Sequence, residues 1–237
     1  MEVSWDLSEW LEFYRRDREG CMAAVFARED RHALCYALFS RLFDGLREKY
    51  RALGISEKIY ADTRSDLEIW RENCRAEFGE DGLHNWQWLQ NHLDLRLVRL
   101  GRLQFEPWAP EGRLALNVHV PQGEPLLYDA VQASYREAYR FYRGMTRLFT
   151  CHSWLLSPVL REILPESANI VRFGLDYGEV RFDPDDRQCE ERVFGFGRVT
   201  DDFASYPQDT SLRRAVRERL LAGGKMGAGA GEFLLEV

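Results

Sequence analysis

The first third of the chain carries apolar residues at helical spacing. Apolar side chains recur at every fourth position between Asp30 and Tyr50 and predict one long helix. Thr63 and Asp66 have the spacing of a capping box, which predicts that a second helix begins there. A glycine-containing break follows, and a further helix is predicted to end near Leu93. We therefore predict an all-helical N-terminal domain over residues 1–93.

The period of the pattern changes from four to two near residue 94. Leu95–Pro107 alternates and predicts a strand with a bulge at Gly101, and Leu114–Val120 completes a hairpin with it. An amphipathic helix capped by Asp129 and an apolar strand over Leu148–Leu156 come next. This order implies a strand-helix-strand crossover with a parallel pair of strands.

Short apolar runs separated by turns make up the rest of the chain. The predicted elements are a short helix at Pro158–Leu164, a strand at Asn169–Leu175, one or two strands within Glu179–Phe196, a helix at Thr210–Leu221 and a last strand at Phe233–Val237. The glycine-rich stretch Gly223–Gly231 is predicted to be a flexible turn. Residues 94–237 are therefore predicted to form a mixed α+β or α/β domain, with one sheet of about five to seven strands flanked by helices.

Composition narrows the class of protein. The chain has 237 residues, of which 45% are hydrophobic, enough for a substantial core. A net charge of −7 argues against nucleic acid or an anionic membrane as the main partner. The five cysteines show no C-x-x-C spacing, and neither a signal peptide nor an apolar run of roughly 20 residues is present. We therefore expect reduced thiols, a cytoplasmic location and no membrane span.

Polar side chains interrupt the apolar strand at Cys151, His152 and Ser153. Burying such groups costs free energy unless they find partners, so they indicate either a hydrogen-bond network or a functional site. His119, on the preceding strand, would face the same slot as His152 if the two strands are neighbours. Either histidine is also compatible with a hydrogen-bonded core position. Cys151 points to the opposite face from His152, which disfavours a cysteine nucleophile paired with that histidine.

Other candidate sites are weaker. Glu106, at the end of the preceding strand, is a possible base acting through a water, or a solvated strand end. His84 and His92 are separated by two turns of a predicted helix, too far to share one ion, so no metal site is expected.

Several segments, in order and spacing, resemble a known bacterial family. They are Thr63–Trp70, Leu93–Pro107 (with Leu100-Gly101-Arg102-Leu103-Gln104-Phe105-Glu106-Pro107), Leu116-Asn117-Val118-His119-Val120-Pro121, Cys151–Pro158 and Pro207–Leu212. The chain resembles acyltransferase-domain proteins that join a helical N-terminal domain to a C-terminal domain similar to the GCN5-related N-acyltransferases (GNAT). The resemblance covers roughly residue 50 to the end.

The resemblance implies a GNAT-like mixed sheet and transfer of an acyl group from a thioester to a small-molecule or peptide amine by direct attack. The donor would be acyl-CoA or an acyl carrier protein. The implied catalytic residues are His119, His152 and Glu106. The implied coenzyme A contacts are Val118, Val120, Gln122, Gly123 and Ser153.

The loop at residues 121–125 departs from the family pattern. It has one glycine, two prolines and an acidic residue where a typical GNAT loop is richer in glycine. Two alternatives therefore remain beside the acyltransferase: a noncatalytic module that binds an acyl chain or carrier protein, and a thioester hydrolase using Cys151 or a histidine-activated water.

Overall fold

A computed structural model describes residues 6–236 and divides into two compact units, Met1–Arg99 and Leu100–Val237. The predicted absence of a signal peptide concerns residues 1–5 in part, and the predicted last strand ends at Val237. Those positions lie outside the described residues. No helix in the described range is both long enough and apolar enough to cross a membrane.

The described residues of the first unit are helical, as predicted. Its helices are α1 (Leu7–Arg16), α2 (Arg18–Phe26), α3 (Arg31–Ala52), α4 (Glu57–Phe78) and α5 (Trp86–Leu93). The periodicity over residues 30–50 is confirmed by α3, whose apolar stripe is fully buried at Leu34, Leu38 and Phe43.

The predicted capping box is wrong. Helix α4 begins at Glu57, and Ser56 caps it by accepting a hydrogen bond from the Ile59 amide. Thr63 and Asp66 lie inside the helix and are buried. Their side chains bind other segments instead, because a polar group inside a packed unit must find a partner.

The second unit is built on a mixed sheet. Its strands are β1 (Val98–Leu100), which spans the boundary between the units, β2 (Leu103–Trp108), β3 (Ala115–His119), β4 (Leu148–Ser153), β5 (Gly178–Asp183) and β6 (Ala228–Leu234). Its helices are α6 (Tyr128–Phe141), α7 (Leu160–Ile163), α8 (Asn169–Leu175), α9 (Gln188–Phe194) and α10 (Ser211–Leu221). The six strands lie in the order β1-β2-β3-β4-β6-β5, within the predicted range.

The predicted hairpin and crossover are confirmed. Strands β2 and β3 pair antiparallel, and β3 and β4 pair parallel across the α6 crossover. One face of the sheet carries Phe105, Phe149 and Phe233, which pack edge-on against Tyr135 of α6. This aromatic cluster fixes α6 on the apolar face and leaves the polar residues of β2, β3 and β4 on the other face.

Two predicted strands are shorter than expected. The residues around Gly101 form a turn between β1 and β2 and not a bulge, with Gly101 at φ +65°. A Cβ at this position would lie 2.7 Å from Oγ of Ser134, so only glycine fits. The apolar run through residue 156 leaves the sheet after Ser153, whose hydroxyl accepts a hydrogen bond from the Leu155 amide and starts a 3-10 helix.

Asn169–Leu175 is helix α8 and not a strand. The period of a short apolar run does not distinguish a buried strand from a buried helix. At this position no turn residues indicated which of the two structures forms. In the segment Glu179–Phe196, one predicted strand is confirmed as β5, whereas the second half of the segment forms helix α9.

The last four residues of the glycine-rich stretch Gly223–Gly231 are strand and not a flexible turn. Strand β6 begins at Ala228, five residues before the predicted start at Phe233. It runs between β4 and β5, and a Cβ on Gly229 would lie 2.5 Å from Val180 Cγ1 and 2.7 Å from the Leu156 carbonyl oxygen. The glycines therefore allow close packing at this point.

Candidate active site

Strands β3 and β4 separate at their carboxyl ends. Their parallel pairing consists of Leu116 with Phe149 and Asn117 with Thr150, and it stops there. Each strand stays paired with its other neighbour to its end, β4 with β6 as far as Ser153 and β3 with β2 as far as His119, so the separation lies between β3 and β4. We call the gap between residues 118–120 and 151–153 the β3–β4 cleft. Its backbone edges can pair with an extended ligand, as an added strand would.

His119 lies at this cleft beside an amide and a carboxylate. Its Nε2 is 3.1 Å from Nδ2 of Asn117 on the same strand and 3.4 Å from Oε2 of Glu106 on β2. Register explains the cluster, because Glu106 is directly opposite Asn117 and therefore diagonal to His119 on the same face. The structure thus brings two predicted residues together and adds Asn117, which the sequence indicated only through its alternation with His119.

The three groups suit an imidazole that changes its protonation state. A neutral His119 can accept the Asn117 N–H at Nε2, whereas a protonated ring can donate from Nε2 to the Glu106 carboxylate. Both His119 and Glu106 are partly buried, which strengthens the attraction between imidazolium and carboxylate. The cluster has the groups that a general base requires.

His152 lies in strand β4, as predicted, but its side chain is not buried. Its side chain is 58% exposed, and its Nε2 is 3.8 Å from Oδ2 of Asp186. Residues 148–151 of β4 are buried, whereas His152 lies near the end of the strand, opposite the small residue Ala230 of β6, which leaves the imidazole open to solvent. The other oxygen of Asp186 accepts the Gln188 amide at 2.7 Å, so the carboxylate is held in place. Sequence analysis did not identify Asp186.

Cys151 faces the apolar side of the sheet and is 3% exposed. Burial raises the pKa of its thiol to about 12, so the group stays protonated near neutral pH. The geometry therefore gives no support to Cys151 as a nucleophile, as its alternation with His152 indicated.

The loop after β3 is held by Arg102, a residue that sequence analysis did not identify. The Arg102 side chain is buried, and it donates to the carbonyl oxygens of Glu124 at 2.8 Å and Pro121 at 2.9 Å. Gly123 lies between them at φ +125°. The positive φ and the guanidinium together fix the turn that contains the predicted contact residues Gln122 and Gly123.

Helix α6 begins directly after this loop. Its N-cap is Leu127, which makes no side-chain hydrogen bond, and Asp129 lies in the first turn and not at the cap as predicted. The first amide groups of a helix lack partners within it and carry the positive end of its dipole. Arg172 stacks over the ring of Tyr128 at 4.5 Å and adds positive charge at this end. The start of α6 is therefore suited to an anionic group.

The remaining predicted contact residues flank the cleft. Val118 is buried on the apolar face of β3, Val120 follows the strand directly, and Ser153 ends β4. Their backbone groups, rather than their side chains, are the ones that border the cleft.

No cluster of three or more metal-ligating side chains is found among residues 6–236. His84 and His92 do not share one helix, because α5 begins at Trp86. His84 Nε2 lies 3.4 Å from Glu77, whereas His92 Nε2 lies 2.9 Å from the buried carboxylate of Asp66. Each histidine has a separate acidic partner.

A mixed sheet whose parallel strands diverge beside a helix start is the architecture expected of a GNAT-like domain. Two family models match the chain: an N-acyltransferase N-terminal domain over residues 3–95 and a GNAT-like C-terminal domain over residues 97–233. The chain therefore belongs to the family with this GNAT-like C-terminal domain, and the predicted combination of a helical N-terminal domain with a GNAT-like C-terminal domain is confirmed.

Solved structures support the same conclusion. An acyltransferase in complex with CoA and 10C-teicoplanin is 27% identical, with a TM-score of 0.74 over 84% of this chain and 65% of that chain. A mutant acyltransferase in complex with octanoyl-CoA is 27% identical, with a TM-score of 0.79 over 87% and 68% of the two chains. A third structure, an acyltransferase in complex with decanoyl-CoA and teicoplanin, is 24% identical. Its TM-score is 0.79 over 97% of this chain and 76% of that chain, which shows that the two share a fold. The chain thus spans about two thirds of their length. No curated protein matches it significantly.

Proposed function

We propose that this protein is an N-acyltransferase that moves an acyl group from acyl-CoA to an amine by direct attack. The observation that carries the proposal is the divergence of β3 and β4 beside the cluster of His119, Asn117 and Glu106. Family membership and the coenzyme A and octanoyl-CoA held by the similar structures support it. The domain boundary after residue 93 and the cytoplasmic location stay predictions.

In this proposal the donor occupies the β3–β4 cleft. Its pantetheine arm pairs with the backbone edges at Val118, Val120 and Ser153, in the manner of an added strand. Its pyrophosphate lies against the loop at Gln122 and Gly123 and the free amides that begin α6. The Arg102 side chain holds that loop in place before the donor arrives, so less ordering is required on binding.

The reaction requires one base and one acid. His119 takes a proton from the attacking amine as its nitrogen forms a bond to the thioester carbonyl carbon, and Glu106 stabilises the resulting imidazolium. The carbon–sulfur bond then breaks, and the thiolate leaves with a proton supplied by His152. Asp186 orients His152 for this step. The products are an amide and free coenzyme A.

The acceptor is proposed to be a small-molecule or peptide amine. Two of the similar structures hold 10C-teicoplanin or teicoplanin, so teicoplanin belongs in any panel of acceptors. An acyl carrier protein remains an alternative donor, to be distinguished by experiment.

The test is turnover with acetyl-, octanoyl- and decanoyl-CoA, each with and without a panel of amines. Thiol release and the mass of the acylated amine are measured for the native protein, for His119→Gln and for His84→Gln as a control in the helical unit. We expect amine-dependent thiol release, a loss of about 100-fold or more in His119→Gln, and native activity in the control.

Three results would contradict the proposal in different ways. Thiol release without an amine indicates a thioester hydrolase. Turnover only with an acyl carrier protein excludes acyl-CoA as the donor. Tight acyl-CoA binding without turnover on any amine favours the noncatalytic binding module.

A further inference from the structure

Gln104 on β2 is a polar residue that the fold leaves without partners. Its side chain is 0% exposed, and neither Oε1 nor Nε2 has a hydrogen-bond partner. Buried side-chain amides in native proteins are almost always hydrogen-bonded, because an unpaired one keeps the cost of its lost hydration. An apolar side chain of similar size would avoid this cost, so the amide calls for a functional explanation.

The position of Gln104 in the sheet places it next to the proposed base. In the β2–β3 register, Gln104 is directly opposite His119, and Glu106 is two residues further along the same face. Side chains directly opposite each other have Cβ atoms about 4.5–5.5 Å apart. The amide and the imidazole are therefore neighbours across the strand pair.

We propose that Gln104 is a positioning residue that supports His119 in its protonated state. A neutral ring with its proton on Nδ1 can accept from Asn117 at Nε2, and after the ring takes a proton both ring nitrogens are donors. The His119 ring faces the charged carboxylate of Glu106 on β2 and the neutral amide of Asn117 on β3. Gln104 is not held by another hydrogen bond, so its Oε1 can turn toward the imidazolium and accept from it, directly or through one water.

This role predicts opposite effects from two substitutions of similar size. Gln104→Met removes the acceptor, so protonated His119 loses support and its titration midpoint falls by about 1 pH unit. Gln104→Glu replaces the amide with an acid that supports the imidazolium more strongly, so the midpoint rises. The apolar variant is the discriminating one: replacing a residue that only fills space by Met would leave the midpoint unchanged, whereas a new carboxylate beside the imidazole raises it in either case. Because Gln104→Met removes an unpaired buried amide, it should unfold at no lower denaturant concentration than the native protein.

The inference rests on the proposed function, but its first test does not require turnover. NMR follows the histidine ring signals of the whole protein against pH, and the His119 signal is assigned by its loss in His119→Gln. Gln132→Met is the control, since its Nε2 binds Asp176 at 2.8 Å, away from His119. Gln104→Leu provides a second apolar variant if Gln104→Glu does not fold.

We expect the midpoint to fall in the Met and Leu variants, to rise in the Glu variant and to stay constant in the control. In turnover, Gln104→Met should lower kcat about tenfold with KM for acyl-CoA unchanged. Equal midpoints in the native and apolar variants would overturn the inference even if the native protein is an active acyltransferase. If the native protein transfers no acyl group while the midpoints shift as described, the proposed function fails and the coupling between Gln104 and His119 stands.

Discussion

Arg102 is expected to be the most important single side chain for the loop that leads into α6. Its guanidinium donates to the carbonyl oxygens of Pro121 and Glu124, and the Arg102 amide donates to Oγ of Ser134. Arg102→Met keeps most of the aliphatic stem but removes the guanidinium that makes the two bonds to the loop. Since the backbone amide is unchanged, the bond to Ser134 remains.

The magnitude follows from the character of these bonds. A hydrogen bond from a charged donor contributes about 1.5–3 kcal/mol, and a buried carbonyl left without a donor keeps its desolvation cost. One of the two contacts is buried and the other is partly buried, so we expect Arg102→Met to lower the free energy of unfolding by about 3 kcal/mol. A less ordered loop should also raise the Kd for acyl-CoA.

Urea denaturation compares this variant with Arg113→Met, a matched control. Arg113 also makes two hydrogen bonds, at 3.2 and 2.7 Å, but to the exposed carboxylate of Glu232. Exposed ion pairs contribute about 0–1 kcal/mol, so the control should lose no more than that. Equal losses in the two variants, or a loss below about 1 kcal/mol for Arg102→Met, would refute the reasoning.

Three further predictions follow from the same unit. Burial raises the pKa of Asp176 to about 6, so the stability that its protonated form contributes is present below about pH 4 and is lost as the pH rises through 6. Asp176→Asn should remove this pH dependence and raise the free energy of unfolding at pH 7 by about 1 kcal/mol, as measured by denaturation at several pH values. Cys151 should resist iodoacetamide in the native protein, and Cys151→Ala should keep its turnover, in mass spectrometry and rate assays; rapid native labelling would contradict its burial. Glu106→Gln should lower kcat about 10- to 100-fold, and unchanged rates would exclude a role for this carboxylate beside His119.

The sequence predicts the order and pairing of elements in the second unit correctly where the hydrophobic period and the turn residues indicate the same element boundaries. The hairpin, the crossover through α6 and the terminal helix α10 each have a clear change of period or a cap such as Thr210, whose hydroxyl accepts the Arg213 amide. The short run at residues 169–175 was assigned incorrectly because its length and composition fit either a strand or a buried helix turn. Packing against neighbouring elements decides between a strand and a helix here, and the local sequence pattern holds no information about those neighbours.

The candidate site was only partly predictable for the same reason. His119 and Glu106 could be identified from strand alternation and from the family resemblance, but their meeting depends on a register that only the folded sheet shows. Asp186 contacts His152, which lies 34 residues away along the chain. Arg102 contacts the loop between β3 and α6, at residues 19 and 22 positions further along the chain. Arg102 stands in a segment that carries the family resemblance, but nothing in that segment marks its role, and no motif contains Asp186. Surface loops and interior anchors use the same charged side chains.

The most direct test of the account is a crystal structure of the protein with a decanoyl-CoA analogue whose thioester is replaced by a stable thioether. The account predicts that the pantetheine arm lies between β3 and β4, that the pyrophosphate meets the first amides of α6, and that the thioether lies within reach of His119. An analogue bound elsewhere, with β3 and β4 closed against each other beyond Asn117 and Thr150, would contradict it.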